Sequence, residues 1–194
     1  MFKSRFVSRR ALLADAGKLT LSAGAIALLA GNDALANTAG ADASKDTGIL
    51  NIALALEHEA IAAYQIGAES GLLAKEVLPV AVLFQSHHKA HRDALADTVR
   101  KLGGTPAAEQ AMDAYVKSSK LNVAAIKSQG DVLALAQRLE LGAANAYLGV
   151  IPAFGDRELA KIAGRLAADE TMHYTALTQA LGGKLPSGAL SFGG

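Results

Sequence analysis

Apolar residues recur in steps of three and four along four stretches of this chain, the spacing of one buried face of an α-helix. The first stretch, Gly48 to about Ser70, carries Leu50, Leu54, Glu57, Ile61, Tyr64 and Ala68 in one stripe, and Ser70-Gly71 ends it. The second, from roughly Lys75 to Leu102, aligns Val80, Phe84, His88, His91, Leu95, Val99 and Leu102. Pro79 falls near its start, where a missing N–H costs nothing, and Gly103-Gly104-Thr105-Pro106 stops it. The third, about Asp131 to Phe154, aligns Leu133, Ala136, Glu140, Ala143, Tyr147, Ile151 and Phe154 before the Gly155-Asp156 turn. The fourth, Arg157 to Leu181, aligns Leu159, Ile162, Leu166, Glu170, His173, Leu177 and Leu181. No strand pattern competes with these helices.

Residues 107–129 are less regular and predict one or two short helices within a long connection. Residues 37–47 are small and polar and read as a linker, with Asp46 or Thr47 placed to cap the first helix. Residues 183–194 are rich in Gly and Ser and read as a flexible tail. Two short turns and one long crossover joining four long helices predict an all-α four-helix bundle spanning 48–182.

Each apolar stripe is interrupted near its middle by polar residues: Glu57; His88 and His91; Glu140; Glu170 and His173. The interruptions repeat between the two halves of the chain. Glu57 precedes Tyr64 as Glu140 precedes Tyr147, and "HKAHRDAL" from His88 aligns with "ETMHYTAL" from Glu170. Mid-stripe positions of four bundled helices meet in the core. A buried carboxylate there is costly unless it takes up a proton or finds a cation. None of the four stripes contains a lysine or arginine.

A bound metal is the simplest source of the missing positive charge. Carboxylate oxygen with imidazole nitrogen suits iron, manganese or zinc, and an i, i+3 pair such as Glu170 and His173 reaches one point from one helix face. Glu57, His88, His91, Glu140, Glu170 and His173 are therefore the candidate ligands. Each has a plainer reading: a lone core histidine satisfied by a hydrogen bond, or a boundary glutamate reaching water. His58, Glu59 and His87 fall off the stripes and read as surface residues, whereas Asp169, beside the stripe, could accept a hydrogen bond from a ligand.

This pattern resembles the ferritin-like superfamily, especially its rubrerythrin-like and other di-iron or di-manganese carboxylate members, over about Gly48 to Leu181. Those proteins take one glutamate from each of two helices and a Glu-x-x-His pair from each of the other two. Glu57, Glu140 and the Glu170–His173 pair match that arrangement, and His91 matches the histidine of the second pair. Where the family pattern has a glutamate, this chain has His88. The exchange removes one negative charge and one potential bridge, so one metal, two metals, zinc or a vestigial site all stay open. The resemblance implies that Tyr64 and Tyr147 lie beside the metal ligands. It also implies a redox centre acting on peroxide or dioxygen, most readily with iron, or else a non-catalytic, desiccation-type or other stress-related metal-binding bundle. A metal-free structural bundle is the third reading.

The chain has no cysteine, which excludes disulfides, thiolate metal sites and a fused rubredoxin-type electron-transfer module, so an enzymatic centre would need an external electron donor. A formal charge of +1 carries no nucleic-acid footprint. The amino terminus has the layout of a signal peptide over residues 1–36: Arg9-Arg10, an apolar stretch from Leu19 to Ala30 too short to span a bilayer, and an Ala34-x-Ala36 site. The arginine pair and weak apolar region resemble a twin-arginine signal, implying export to the periplasm or beyond. Five basic and two acidic residues would leave with it, taking the net charge from +1 to −2. The sequence leaves the assembly open, with a homodimer compatible with it.

Overall fold

The computed structural model describes residues 39–193; the expected signal segment and cleavage site lie outside the described residues. Four long helices dominate: α1 (Ala39–Glu69), α2 (Leu78–Lys101), α4 (Gln129–Val150) and α5 (Arg157–Ala180). A short helix α3 (Met112–Val116) and a 3-10 turn (Val123–Ala125) lie in the connection between α2 and α4. Among the described residues there is no strand. The all-α bundle with one long crossover is the observed architecture. Within it α1 pairs with α2 and α4 with α5, and α1 contacts α4. No described helix is long and apolar enough to cross a membrane.

Local chemistry sets the helix ends. Pro79 sits in the first turn of α2. Ser128 caps α4 by accepting from the Asp131 N–H, while Asp131 accepts from the Lys127 N–H and the Ser128 hydroxyl. Asp156 caps α5, accepting from the Glu158 N–H at 2.7 Å. α2 and α5 end alike: Gly103 and Gly182 adopt φ of +80° and +69°, and the next glycine N–H reaches back to Val99 and Thr178 carbonyls. This is the left-handed helix stop that glycine adopts without a Cβ penalty.

Three boundaries differ from the expectation. α1 begins at Ala39, so most of the segment expected as a linker is helical. Asp46 does not cap a helix there. It is buried and accepts from the Gly155 and Asp156 N–H groups at 3.1 and 3.4 Å, a long-range anchor for the extended helix. The third long helix stops at Val150 rather than Phe154 because Pro152 converts Ile151–Ala153 to a 3-10 turn. The tail expected to be flexible folds back: the Gly193 N–H donates to Asn145 Oδ1 at 2.7 Å, and Phe192 packs edge-on against Tyr174.

The core is layered. Leu50, Leu54, Leu95, Val99, Leu159 and Leu166 form an apolar cluster toward one end of the bundle, and Phe84, Leu133, Ala136 and Leu177 toward the other. The polar interruptions of the stripes lie between these two apolar blocks. The crossover covers the outer face of α1, where Tyr115 and Leu121 pack against Ala62, Ala63 and Leu135.

Candidate metal centre

α1 and α4 each contribute one glutamate to the middle layer, Glu57 and Glu140. α2 contributes His88 and His91, and α5 contributes Glu170 and His173. All six are buried, with none more than 7% exposed. Two overlapping groups form among the described residues: Glu57, His88, His91 and Glu170, and His88, Glu140, Glu170 and His173. Within each group the potential ligand atoms lie within 4.8 Å of one another. Ligands about 2.1 Å from one ion can be no further than about 4.2 Å apart, so small side-chain adjustments would close either group on a metal.

His88 and Glu170 belong to both groups. His88 Nδ1 is 2.8 Å from Glu57 Oε2, and its Nε2 is 3.2 Å from Glu140 Oε1, so each ring nitrogen faces one group. His91 Nδ1 faces Glu170 at 3.2 Å. His173 Nδ1 faces Glu140 at 3.2 Å and Glu170 at 3.4 Å. Glu170 is fully buried, yet neither of its oxygens nor His91 Nδ1 makes a well-aligned hydrogen bond among the described residues, and His91 and His173 face the carboxylate only as ion-pair partners. Buried acidic oxygens without a well-aligned donor are rare and costly. They point into the space between the histidines, where a cation would satisfy them, and so the residues present fit a metal. The buried Glu/His groups could hold a metal ion.

The electrostatics follow from this crowding. Burial acts to raise the Glu57 and Glu140 carboxyls, but hydrogen bonds with His88 and His91 for the first, and with His173 and His88 for the second, hold both below the usual carboxylate range. Glu170 goes the other way: burial, with Glu140 and Glu57 close by, pushes it up to about 7 against the pull of His173 and His91. Burial opposes charge on the histidines, yet the facing carboxylates raise His88 and His173, and carry His91 to about 10.

The next layer is reciprocal between the halves. The Tyr64 hydroxyl donates to Glu140, and the Tyr147 hydroxyl donates to Glu57, so each tyrosine holds the glutamate of the opposite half. Burial and the facing carboxylates keep both phenols protonated donors. On the outer side, Asp169 Oδ2 lies 3.1 Å from His91 Nε2 and His87 Nδ1 lies 2.9 Å from His173 Nε2. Partners of this kind fix which imidazole nitrogen faces inward.

His87, expected at the surface from its position off the stripe, is half-buried and its ring stacks on His173. A signal was present: the repeat that aligns His88 with Glu170 also aligns His87 with Asp169. His58 is buried, its Nε2 3.2 Å from the Ala107 carbonyl, and Glu59 pairs with Lys120 at 3.2 Å. Both were expected at the surface, and both lie beneath the crossover, which covers a helix face that local periodicity marks as exposed.

A helical bundle whose buried middle layer is built from carboxylates and imidazoles on all four long helices defines a carboxylate–histidine bundle protein. The description "Ferritin-like domain" matches residues 45–183, and the chain belongs to that family. It is also similar to the crystal structure of a conserved hypothetical protein from Mycobacterium tuberculosis, with 23% identity and a TM-score of 0.62, covering 71% of this chain and 98% of that one. That likeness is one of fold. No curated protein matches the chain.

Proposed function

We propose that this protein is an exported metal-binding protein with a dinuclear iron or manganese centre, redox-active toward peroxide or dioxygen. The observation that carries the metal assignment is Glu170, buried completely where the two ligand groups overlap, with neither oxygen in a well-aligned hydrogen bond and only imidazole nitrogens facing them. Glu57 and His91 would complete the first site with Glu170, and Glu140 and His173 the second; His88, whose neutral ring binds one ion, would serve one of the two. A pair of such ions would cycle between oxidation states and offer open positions to a small oxidant. The chain's own part is to hold the ligands. Tyr64 and Tyr147 orient Glu140 and Glu57, His87 and Asp169 fix the inward nitrogens of His173 and His91, and the two apolar blocks limit water. Export rests on the Arg9-Arg10 signal pattern of the sequence, and cell fractionation tests it.

The decisive experiment is anaerobic titration with Fe(II), followed by gel filtration and elemental analysis. Two ions retained per chain support the dinuclear reading, and one supports a mononuclear site. A second reading has its own observation. Both nitrogens of His88 face carboxylates, so three protonated histidines could balance three glutamates with no ion, as a purely structural bundle requires. Absence of retained iron, manganese and zinc would favour it. Consumption of hydrogen peroxide or dioxygen by the loaded protein separates a redox role from non-catalytic, stress-related metal binding.

A further inference from the structure

Two apolar cavities flank the polar layer, one toward each end of the bundle. The internal repeat relates them position by position. Tyr64 and Gly67 on the first cavity correspond to Tyr147 and Val150 on the second, and Val77, Val80 and Phe84 correspond to Leu159, Ile162 and Leu166. Each cavity therefore ends on the tyrosine that holds a glutamate of the centre.

The two are not equal in size. Glycine and two valines on the Tyr64 side stand where the other half has valine, leucine and isoleucine. The Tyr64 chamber measures about 130 Å³ and the Tyr147 cavity about 50 Å³. The larger chamber reaches the centre at a second point, because the Phe84 ring stacks on the ligand His173 with centroids 4.1 Å apart. It opens at a rim of Glu76, Val80, Ala176 and Ala180, all exposed.

We propose that the Tyr64 chamber is a binding site for a small apolar molecule of dioxygen's size, and that it selects dioxygen over peroxide for the centre. This rests on the redox reading given above. An apolar cavity of roughly 150 Å³ stays dry and takes up benzene or xenon, so a chamber of this volume has ample room for a diatomic gas. Hydrogen peroxide would lose its hydrogen bonds to water on entering, since Glu76 at the rim and the Tyr64 hydroxyl, already committed to Glu140, are the polar side-chain groups lining it. Dioxygen loses none. The Tyr147 cavity has similarly apolar walls, with Lys45 as its charged lining residue, and less than half the volume, and serves as an internal comparison.

The test uses dioxygen itself, dissolved under pressure in metal-free protein with labelled leucine methyl groups. Paramagnetic relaxation should be several-fold stronger at Leu133 and Leu177 than at their repeat equivalents Leu50 and Leu95. The double variant Val77→Leu/Val80→Ile imports the residues of the tight cavity, which the same fold already accommodates, and should erase the difference. In Fe(II)-loaded protein that variant should retain its iron, slow oxidation by dioxygen several-fold and leave oxidation by hydrogen peroxide unchanged. Equal relaxation at both leucine pairs would overturn the proposal. So would an unaltered dioxygen rate in the filled variant, or equal slowing with both oxidants. A wild-type protein that retains no iron would sink the metal reading and the selection step, while the methyl relaxation still decides whether the chamber takes up the gas.

Discussion

Replacing Tyr147 by phenylalanine isolates one hydroxyl in the middle layer. The ring stays packed in its apolar cluster with Leu54, Leu95 and Leu166, so the change removes the donor to Glu57 and little else. Glu57 is 2% exposed, and its remaining partners are His88, 2.8 Å from the other oxygen, and His91, 3.7 Å from the oxygen Tyr147 serves. A hydrogen bond to a charged group contributes about 1.5–3 kcal/mol, and stranding a buried acceptor lies in the same range. The metal-free variant should lose about 2 kcal/mol of unfolding free energy. That corresponds to a melting temperature lower by about 4–8 °C for a domain of this size. Because Glu57 is a proposed ligand, Fe(II) affinity should also fall about 10–100-fold, the usual cost of losing an orienting partner. Chemical denaturation with and without Fe(II), alongside a direct Fe(II) titration, measures both terms. Tyr64→Phe should mirror the result through Glu140. A stability change under about 0.5 kcal/mol, the range of an ordinary surface substitution, would refute the claim that the hydroxyl holds a buried charged carboxylate.

Glu140→Ala removes a proposed ligand and should abolish metal uptake by the second group, seen as loss of at least one ion per chain in elemental analysis. His87→Ala and Asp169→Ala each free the outer nitrogen of a ligand histidine, and should weaken Fe(II) binding about 10–100-fold with little change in far-UV circular dichroism. The metal-free protein should be most stable near pH 4.5 and lose stability as pH rises above it. His91, raised from 6.5 to about 10, contributes stability that is complete below 6.5 and lost as pH rises through 10. Glu170, raised from 4.5 to about 7, adds a penalty that grows over that interval. Glu57 and Glu140, lowered from 4.5, contribute stability lost only as pH falls through their folded values. Metal needs neutral imidazole, so loading should release protons near pH 7, bind more tightly as pH rises and move the stability optimum upward; calorimetry in buffers of different ionisation enthalpy counts the protons. Asp46→Ala removes the acceptor of two backbone N–H groups in the exposed Gly155–Asp156 turn and should cost about 0.5–1.5 kcal/mol, with faster hydrogen exchange at Gly155 and Asp156.

Much of this protein is legible in its sequence. A helix is a local object, so steps of three and four residues suffice to mark the four stripes, and glycines and prolines mark most of the ends. The same periodicity identifies the six polar interruptions, because a charged or imidazole side chain on an apolar stripe has nowhere to go but inward. The repeat adds that these residues belong at one height in the bundle. The tertiary structure decided what each interruption faces. Tyr64 holds Glu140 rather than the glutamate one turn pair away on its own helix, since adjacent antiparallel helices bring opposite halves together. His87 is tied to His173, and His58 and Glu59 lie under the crossover, because burial depends on which segment lands on a face and not on that face's own pattern. The helical course of 39–47 depends in the same way on Asp46 meeting N–H groups more than a hundred residues distant. Local spacing encodes which side of a helix is apolar; it carries no record of the neighbour, and the neighbour sets the charge balance at Glu170 and the unequal volumes of the two cavities.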